Sequence, residues 1–171
     1  EKDEKEKLTI VTDDNIMENI SAKVNEGVLK IKSDYEMRNP TELKAYIIVK
    51  ELNSLNISGA CELEGKNTIV SKNLSIKASG ASEVDMNLRC SELKVNASGA
   101  TDMKLGGDAA LVNIDASGAS TIKAERLMTN QAVVESSGAS TVKVDVSGTL
   151  DAKASGASTI LYKGNAKVTA D

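Results

Sequence analysis

The sequence predicts an all-β fold: a right-handed parallel β-helix, or solenoid, with coils of about 19 residues and an N-terminal capping region. Three observations carry this. The tripeptide Ser-Gly-Ala occurs six times, with its glycine at Gly59, Gly80, Gly99, Gly118, Gly138 and Gly156, at spacings of 21, 19, 19, 20 and 18 residues. Apolar and polar residues alternate on both sides of each glycine. Among 171 residues only Tyr35, Tyr46 and Tyr162 are aromatic, and Phe, Trp and His are absent. A fixed period near 19 marks repeating units that bury an apolar face only by stacking. Period-two alternation marks strands with one buried side. A thin coil interior has room for aliphatic and hydroxyl side chains and little for large rings.

From the N-terminus, Glu1 to Lys7 is an unbroken run of charges and reads as a solvated leader. Residues 8–171 read as a single β-helical domain, with 8–50 as N-terminal coils or a cap and 51–171 as the Ser-Gly-Ala repeats. Leu8 to Thr12 reads as a strand. Asp14 is placed to cap a short helical turn over Asn15 to Ile20. Val28 to Ile31 and Ala45 to Val49 read as further strands, separated by a polar loop that carries the sole proline, Pro40.

Within the repeats, aligned columns appear. Four residues after the glycine stand Leu63, Val84, Met103, Ile122, Val142 and Ile160; four before it stand Leu55, Ile76, Val95, Ile114, Val134 and Ala152. Each repeat is therefore expected to hold two short strands, such as Ser140 to Val144 and Leu150 to Ala154. Between them lies a variable connection: Gly106-Gly107, Arg126 to Asn130, or Ser147-Gly148. Neighbouring coils would pair in parallel at about 4.8 Å, and parallel crossovers are nearly always right-handed. An antiparallel array of hairpins is the competing arrangement; like residue types in every column favour stacked coils.

Composition narrows function. Without His there is no imidazole base for a Ser or Cys nucleophile and no His-ligated zinc. The net charge of −4 and the three arginines argue against a nucleic-acid surface. The longest apolar run, Ala45 to Val49, is far short of the roughly 20 residues of a membrane-spanning helix. Cys61 and Cys90 occupy different columns and are expected to be two buried free thiols.

The outward side of the strand after each corner is the candidate site. Glu62, Glu64, Glu83, Asp85 and Asp102 would form an acidic patch on the early coils; Lys104, Lys123 and Lys143 would form a basic stripe on the later ones. Stacked carboxylates repel, so a Ca²⁺ ion or a basic partner would relieve the patch. No other cofactor is expected. The repeated hydroxyls beside each glycine are read as structural, bonding to corner backbone groups.

The segments Asp13-Asp14-Asn15-Ile16-Met17 and Val24-Asn25-Glu26-Gly27-Val28-Leu29-Lys30-Ile31, the strand ending in Leu55-Asn56-Ile57-Ser58-Gly59-Ala60, and the serial Ser-Gly-Ala corners that follow resemble the head GIN domain family of putative auto-transporter adhesins. The resemblance runs from about Leu8 to the end. It implies a β-helical domain exported by bacteria such as the Bacteroides group, held in the periplasm or at the cell surface, with no catalytic motif to carry over. Cys61 departs from the pattern, standing where later copies have Ser or Thr. Together these readings predict a non-catalytic extracytoplasmic module that binds a protein or glycan. The alternatives are a polysaccharide-active β-helix enzyme working through the acidic patch, or an architectural domain that self-associates through its terminal coils.

Overall fold

Each Ser-Gly-Ala corner turns the chain through a glycine with positive φ, from 71° at Gly156 to 89° at Gly59. L-residues adopt that conformation at a cost of roughly 1–2 kcal/mol. A second constraint comes from stacking. The N–H of the alanine after each glycine donates to the carbonyl of the glycine one coil earlier: Ala100 to Gly80 at 2.8 Å, Ala119 to Gly99 at 2.8 Å, Ala139 to Gly118 at 2.7 Å. A Cβ on Gly118 would lie 2.6 Å from the Gly99 oxygen, whereas one on Gly59, which opens the series, would meet nothing within 4 Å.

The computed structural model describes residues 5–33 and 42–171. The chain divides into two compact units, 1–50 and 51–171.

In the first unit β1 (Lys7–Thr12) pairs antiparallel with β4 (Leu43–Ile48). A single helical turn, α1 (Asp14–Met17), follows β1. Then β2 (Ile20–Asn25) and β3 (Val28–Ser33) form an antiparallel hairpin. Its turn is Glu26-Gly27 with φ of 49° and 76°, both positive as a type I′ hairpin requires. The described residues of the segment expected to supply N-terminal coils or a cap, 8–50, pair antiparallel among themselves and fall in a compact unit of their own. The helix is also shorter than expected: it stops at Met17, and Ile20 already belongs to a strand, because β-branched Ile20 and Val24 favour the pleated hairpin. The expected loop with Pro40 lies outside the described residues, as do the first four of the charged leader; Lys7 is already part of β1.

The second unit is a parallel β-solenoid of about six coils. Its strands are β5 (Ser54–Ile57), β6 (Glu62–Glu64), β7 (Ile69–Ala78), β8 (Glu83–Ala97), β9 (Asp102–Ala116), β10 (Thr121–Ser136), β11 (Thr141–Ala154), β12 (Thr159–Lys163) and β13 (Lys167–Ala170), all in one sheet. Register follows the predicted columns: Val84 pairs with Met103, Met103 with Ile122, Ile122 with Val142 and Val142 with Ile160. In the middle coils the two short strands expected per repeat run together into one of 14 to 16 residues. The reason is that the connections stay extended and keep their inter-coil bonds. They turn by shifting the alternation: in β8 the inward set changes from Val84, Met86, Leu88 and Cys90 to Leu93, Val95 and Ala97 across the exposed pair Ser91-Glu92. Coil length varies ahead of this bend, where β10 shows irregular register between Lys123 and Arg126 against β9.

The core is the continuous inward column set. Ile76, Val84, Leu88, Leu93, Val95, Met103, Leu105, Ile122, Val134, Val142 and Val146 are fully enclosed. It also accepts Met and Leu, so the restriction is on rings, not on length.

The stacking constraint yields a test. Gly59→Ala should cost about 1–2 kcal/mol, the left-handed backbone cost alone. Gly118→Ala adds the clash with the Gly99 carbonyl and should cost about 3 kcal/mol or more. Urea unfolding midpoints of the two variants measure the difference.

Candidate functional site

Parallel register brings the outward residues into two adjacent columns on the wall after the corner. One runs Glu62, Glu83, Asp102, Thr121, Thr141, Thr159; the other runs Glu64, Asp85, Lys104, Lys123, Lys143, Leu161. Every predicted residue of the acidic patch and basic stripe thus sits where the repeat places it.

Their side chains, however, do not segregate by sign. Two of the three lysines reach diagonally back to the acid of the preceding coil: Lys104 Nζ lies 2.7 Å from Glu83 Oε1, and Lys123 Nζ lies 2.9 Å from Asp102 Oδ2. Lys66 pairs with Glu64. Arg126 reaches Asp85 across two coils, Nη2 to Oδ1 at 3.4 Å. It can do so because the residue in register between Asn87 and Arg126 is Gly106, which has no side chain to block the path. The Glu83 carboxylate raises the Lys104 pKa, first through the hydrogen bond and then through its charge, with Asp102 and Asp85 adding to it. Ammonium and guanidinium groups of the chain itself therefore supply much of the countercharge for which the sequence suggested a Ca²⁺ ion or a basic partner. Among the described residues no three acidic or thiol side chains converge to hold a metal ion. Among the described residues, Glu62 and Lys143 have no ion-pair partner.

The early part of this wall is concave. A cleft of about 330 Å³ is lined by Glu62, Glu64, Gly65, Glu83, Asp85, Asn87 and Lys104. Asn87 and Arg126 went unnoticed in the sequence because they belong to a third outward column, where the changing residue types hide the repeat. The pairing Asn87, Gly106, Arg126 becomes readable only once the register shift between Lys123 and Arg126 is known.

The corner hydroxyls have a structural task. Two residues after the glycine, Ser82, Thr101, Ser120, Ser140 and Ser158 each donate to the carbonyl of the serine before it, at 2.7 to 2.9 Å. Cys61 makes the same bond, its Sγ donating to Ser58 O at 3.4 Å. This explains why a thiol can replace the hydroxyl at that corner. Both cysteines are free thiols, but only Cys90 is buried; Cys61 is exposed, correcting the expectation for it. Cys61 heads its column, so it lacks a preceding corner like the one that covers Ser82. Burial pushes the Cys90 thiol from 9.0 up to about 11, with the Asp108 charge adding to it.

The sequence matches the family described as "Putative auto-transporter adhesin, head GIN domain" over residues 1–166. Three crystal structures share the fold. A putative adhesin from Bacteroides fragilis is 26% identical with a TM-score of 0.85, over 100% of this chain and 85% of that one. A putative lipid binding protein from Parabacteroides distasonis is 19% identical with a TM-score of 0.77, over 98% and 81%. A putative adhesin from Parabacteroides merdae is 17% identical with a TM-score of 0.74, over 96% and 78%. No curated protein matches the sequence. No helix among the described residues is long and apolar enough to cross a membrane.

Two measurements check this site. In the native protein iodoacetamide at pH 8 should label Cys61 and spare Cys90, with both labelled in urea; mass spectrometry reads the sites. A thiol with a raised folded pKa stabilises the fold below its unfolded pKa, and that contribution is lost as pH rises through the folded value. Stability should therefore fall between pH 9.0 and about 11, and fall less in Cys90→Ala.

Proposed function

Because the chain belongs to the head GIN domain family of putative auto-transporter adhesins, we propose that it is a non-catalytic interaction module that works outside the cytoplasm, in the periplasm or at the cell surface. It presents the mixed-charge cleft between its first coils to a protein or glycan partner. The observation that carries this reading is the cleft itself, about 330 Å³ of open concavity with carboxylate, amide and ammonium groups projecting from a hydrogen-bonded wall. A wall held by parallel ladders keeps such groups preorganised, so little conformational entropy is lost on binding. Glu62, without a partner of its own, is the group that a ligand can engage without first breaking an ion pair.

The non-catalytic assignment is supported by the engagement of the potential nucleophiles. The corner hydroxyls are committed to backbone carbonyls. The buried thiol stays protonated at neutral pH. The extracytoplasmic assignment is supported by the family and by the relatives described as adhesins.

A glycan array combined with affinity capture from a bacterial envelope fraction tests the proposal. The native chain should retain a defined set of ligands, and Glu62→Gln with Glu83→Gln and Asp85→Asn should lose it without a change in circular dichroism. Retention unaffected by the triple substitution would move the site elsewhere. Calcium provides a separate check. Removing the central cation in Lys104→Gln leaves Glu83, Asp85 and Asp102 facing one another, so millimolar Ca²⁺ should raise the melting temperature of that variant more than that of the native protein.

A further inference from the structure

We propose that a second cleft, on the wall before the corner, binds the carboxylate of an acidic sugar, with Lys77 as its counter-ion. The site is separate from the acidic cleft, which lies on the wall after the corner. Two columns build it. One is Asn56, Lys77 and Asn96, in parallel register. The other is Ser58, Ser79 and Ser98, stacked through Ser79 N–H to Ile57 O and Ser98 N–H to Ala78 O, both at 3.0 Å. Between the columns Ile57 and Ala78 are buried, and a concavity of about 330 Å³ remains above them.

The polar groups of this cleft are unspent. Among the described residues Lys77 has no ion-pair partner. The nearest acid of its own column is Asp115, two coils on, with Asn96 between. Later in that column the charge is already balanced, Lys153 Nζ lying 3.6 Å from Glu135 Oε1. The Ser58 and Ser98 hydroxyls make no hydrogen bond among the described residues, and the Ser79 hydroxyl makes a long one, 3.5 Å to Ile57 O. The Asn96 Nδ2 is buried and has no hydrogen-bond partner among the described residues. An enclosed amide donor left unpaired is costly. The terminal torsion of an asparagine is broad and roughly two-fold. A turn of the amide therefore presents this donor to an acceptor in the cleft and relieves the cost.

The lining sets the chemistry of the ligand. It supplies one full positive charge, which matches a carboxylate; a phosphate monoester carries about −1.5 to −2 at neutral pH and would stay largely uncompensated. Amide and hydroxyl groups both donate and accept, as the hydroxyls of a sugar ring do. A uronate, with its carboxylate beside ring hydroxyls, uses both kinds of group. An acidic peptide brings carboxylates but few hydroxyls to fill the remaining bonds. A single ammonium in an open cleft sets the dissociation constant at about 1 mM. Contacts that weak do not survive washing on an array, so this cleft is measured in solution.

Amide NMR of the isotope-labelled chain at about 0.15 M salt tests the site, with trigalacturonate as the probe and galactotriose and triglutamate as comparisons. Trigalacturonate should shift the side-chain amides of Asn56 and Asn96 and the backbone amides of residues 77–79 and 96–98. Lys77→Gln should raise the dissociation constant about tenfold or more, while Lys77→Arg keeps the charge and should keep most of the binding. Asn96→Ala should weaken binding without lowering the melting temperature, because it removes a donor that bonds to nothing. The triple variant Glu62→Gln with Glu83→Gln and Asp85→Asn should leave the titration unchanged, which separates this site from the acidic cleft. No shift at about 10 mM trigalacturonate, equal shifts with galactotriose or triglutamate, indifference to Lys77→Gln, or loss of binding in the triple variant would overturn the proposal.

Discussion

Glycine stacked on glycine is the contact on which the solenoid depends. From Gly59 to Gly138 each corner glycine, at positive φ, accepts a hydrogen bond from the next coil at 2.7 to 3.0 Å, and from Gly80 to Gly156 the space beside its Cα is filled by the carbonyl of the glycine before it. That contact locks the start of every coil to the same place on the previous one. Register then propagates outward from the corner, because strand alternation allows only even shifts if apolar residues are to stay inside. Differences of one or two residues between coils are absorbed beyond the corner strand, where the register of β10 against its neighbours shifts between Lys123 and Gln131. The corner hydroxyls reinforce the same point by closing each turn onto its own backbone.

The same locking organises the outer surface. Once register is common to all coils, outward residues become columns, and a substitution in one repeat faces its counterparts in the next. Evenly stacked like charges would destabilise such a wall. The chain offsets this by moving from acid to lysine along one column and letting Lys104 and Lys123 reach diagonally to an acid of the preceding coil. The early coils keep the excess of carboxylates, and that is where the wall is concave. A surface of this kind is polar, stiff and patterned, and suits recognition by hydrogen bonds and charge more than by apolar burial.

Residues 1–50 follow different rules and show where sequence reading loses its grip. Their strands lie close to the expected segments, since Leu8 to Thr12, Val28 to Ile31 and Ala45 to Val49 all fall in or overlap observed strands. Their pairing is another matter. Asn25-Glu26-Gly27 is a hairpin signal that the repeat overshadowed, and β2 hid behind the helical reading of the preceding turn. A single unrepeated segment offers one copy of each clue, whereas the solenoid offers six, and errors of reading do not average out.

The sequence alone determined the parallel coils, the identity of the inward columns and the placement of all eight charged candidates, because each follows from counting residues from a glycine. It could not reveal which charges meet. That depends on side-chain reach between coils: Lys104 to Glu83 crosses one coil boundary diagonally, and Arg126 reaches Asp85 over a glycine that sequence reading treated as mere connection. The exposure of Cys61 belongs to the same class. Repetition specifies what every coil has in common. The ends of the stack and the diagonal contacts are set by which coil is absent or adjacent, and only the tertiary structure decides that.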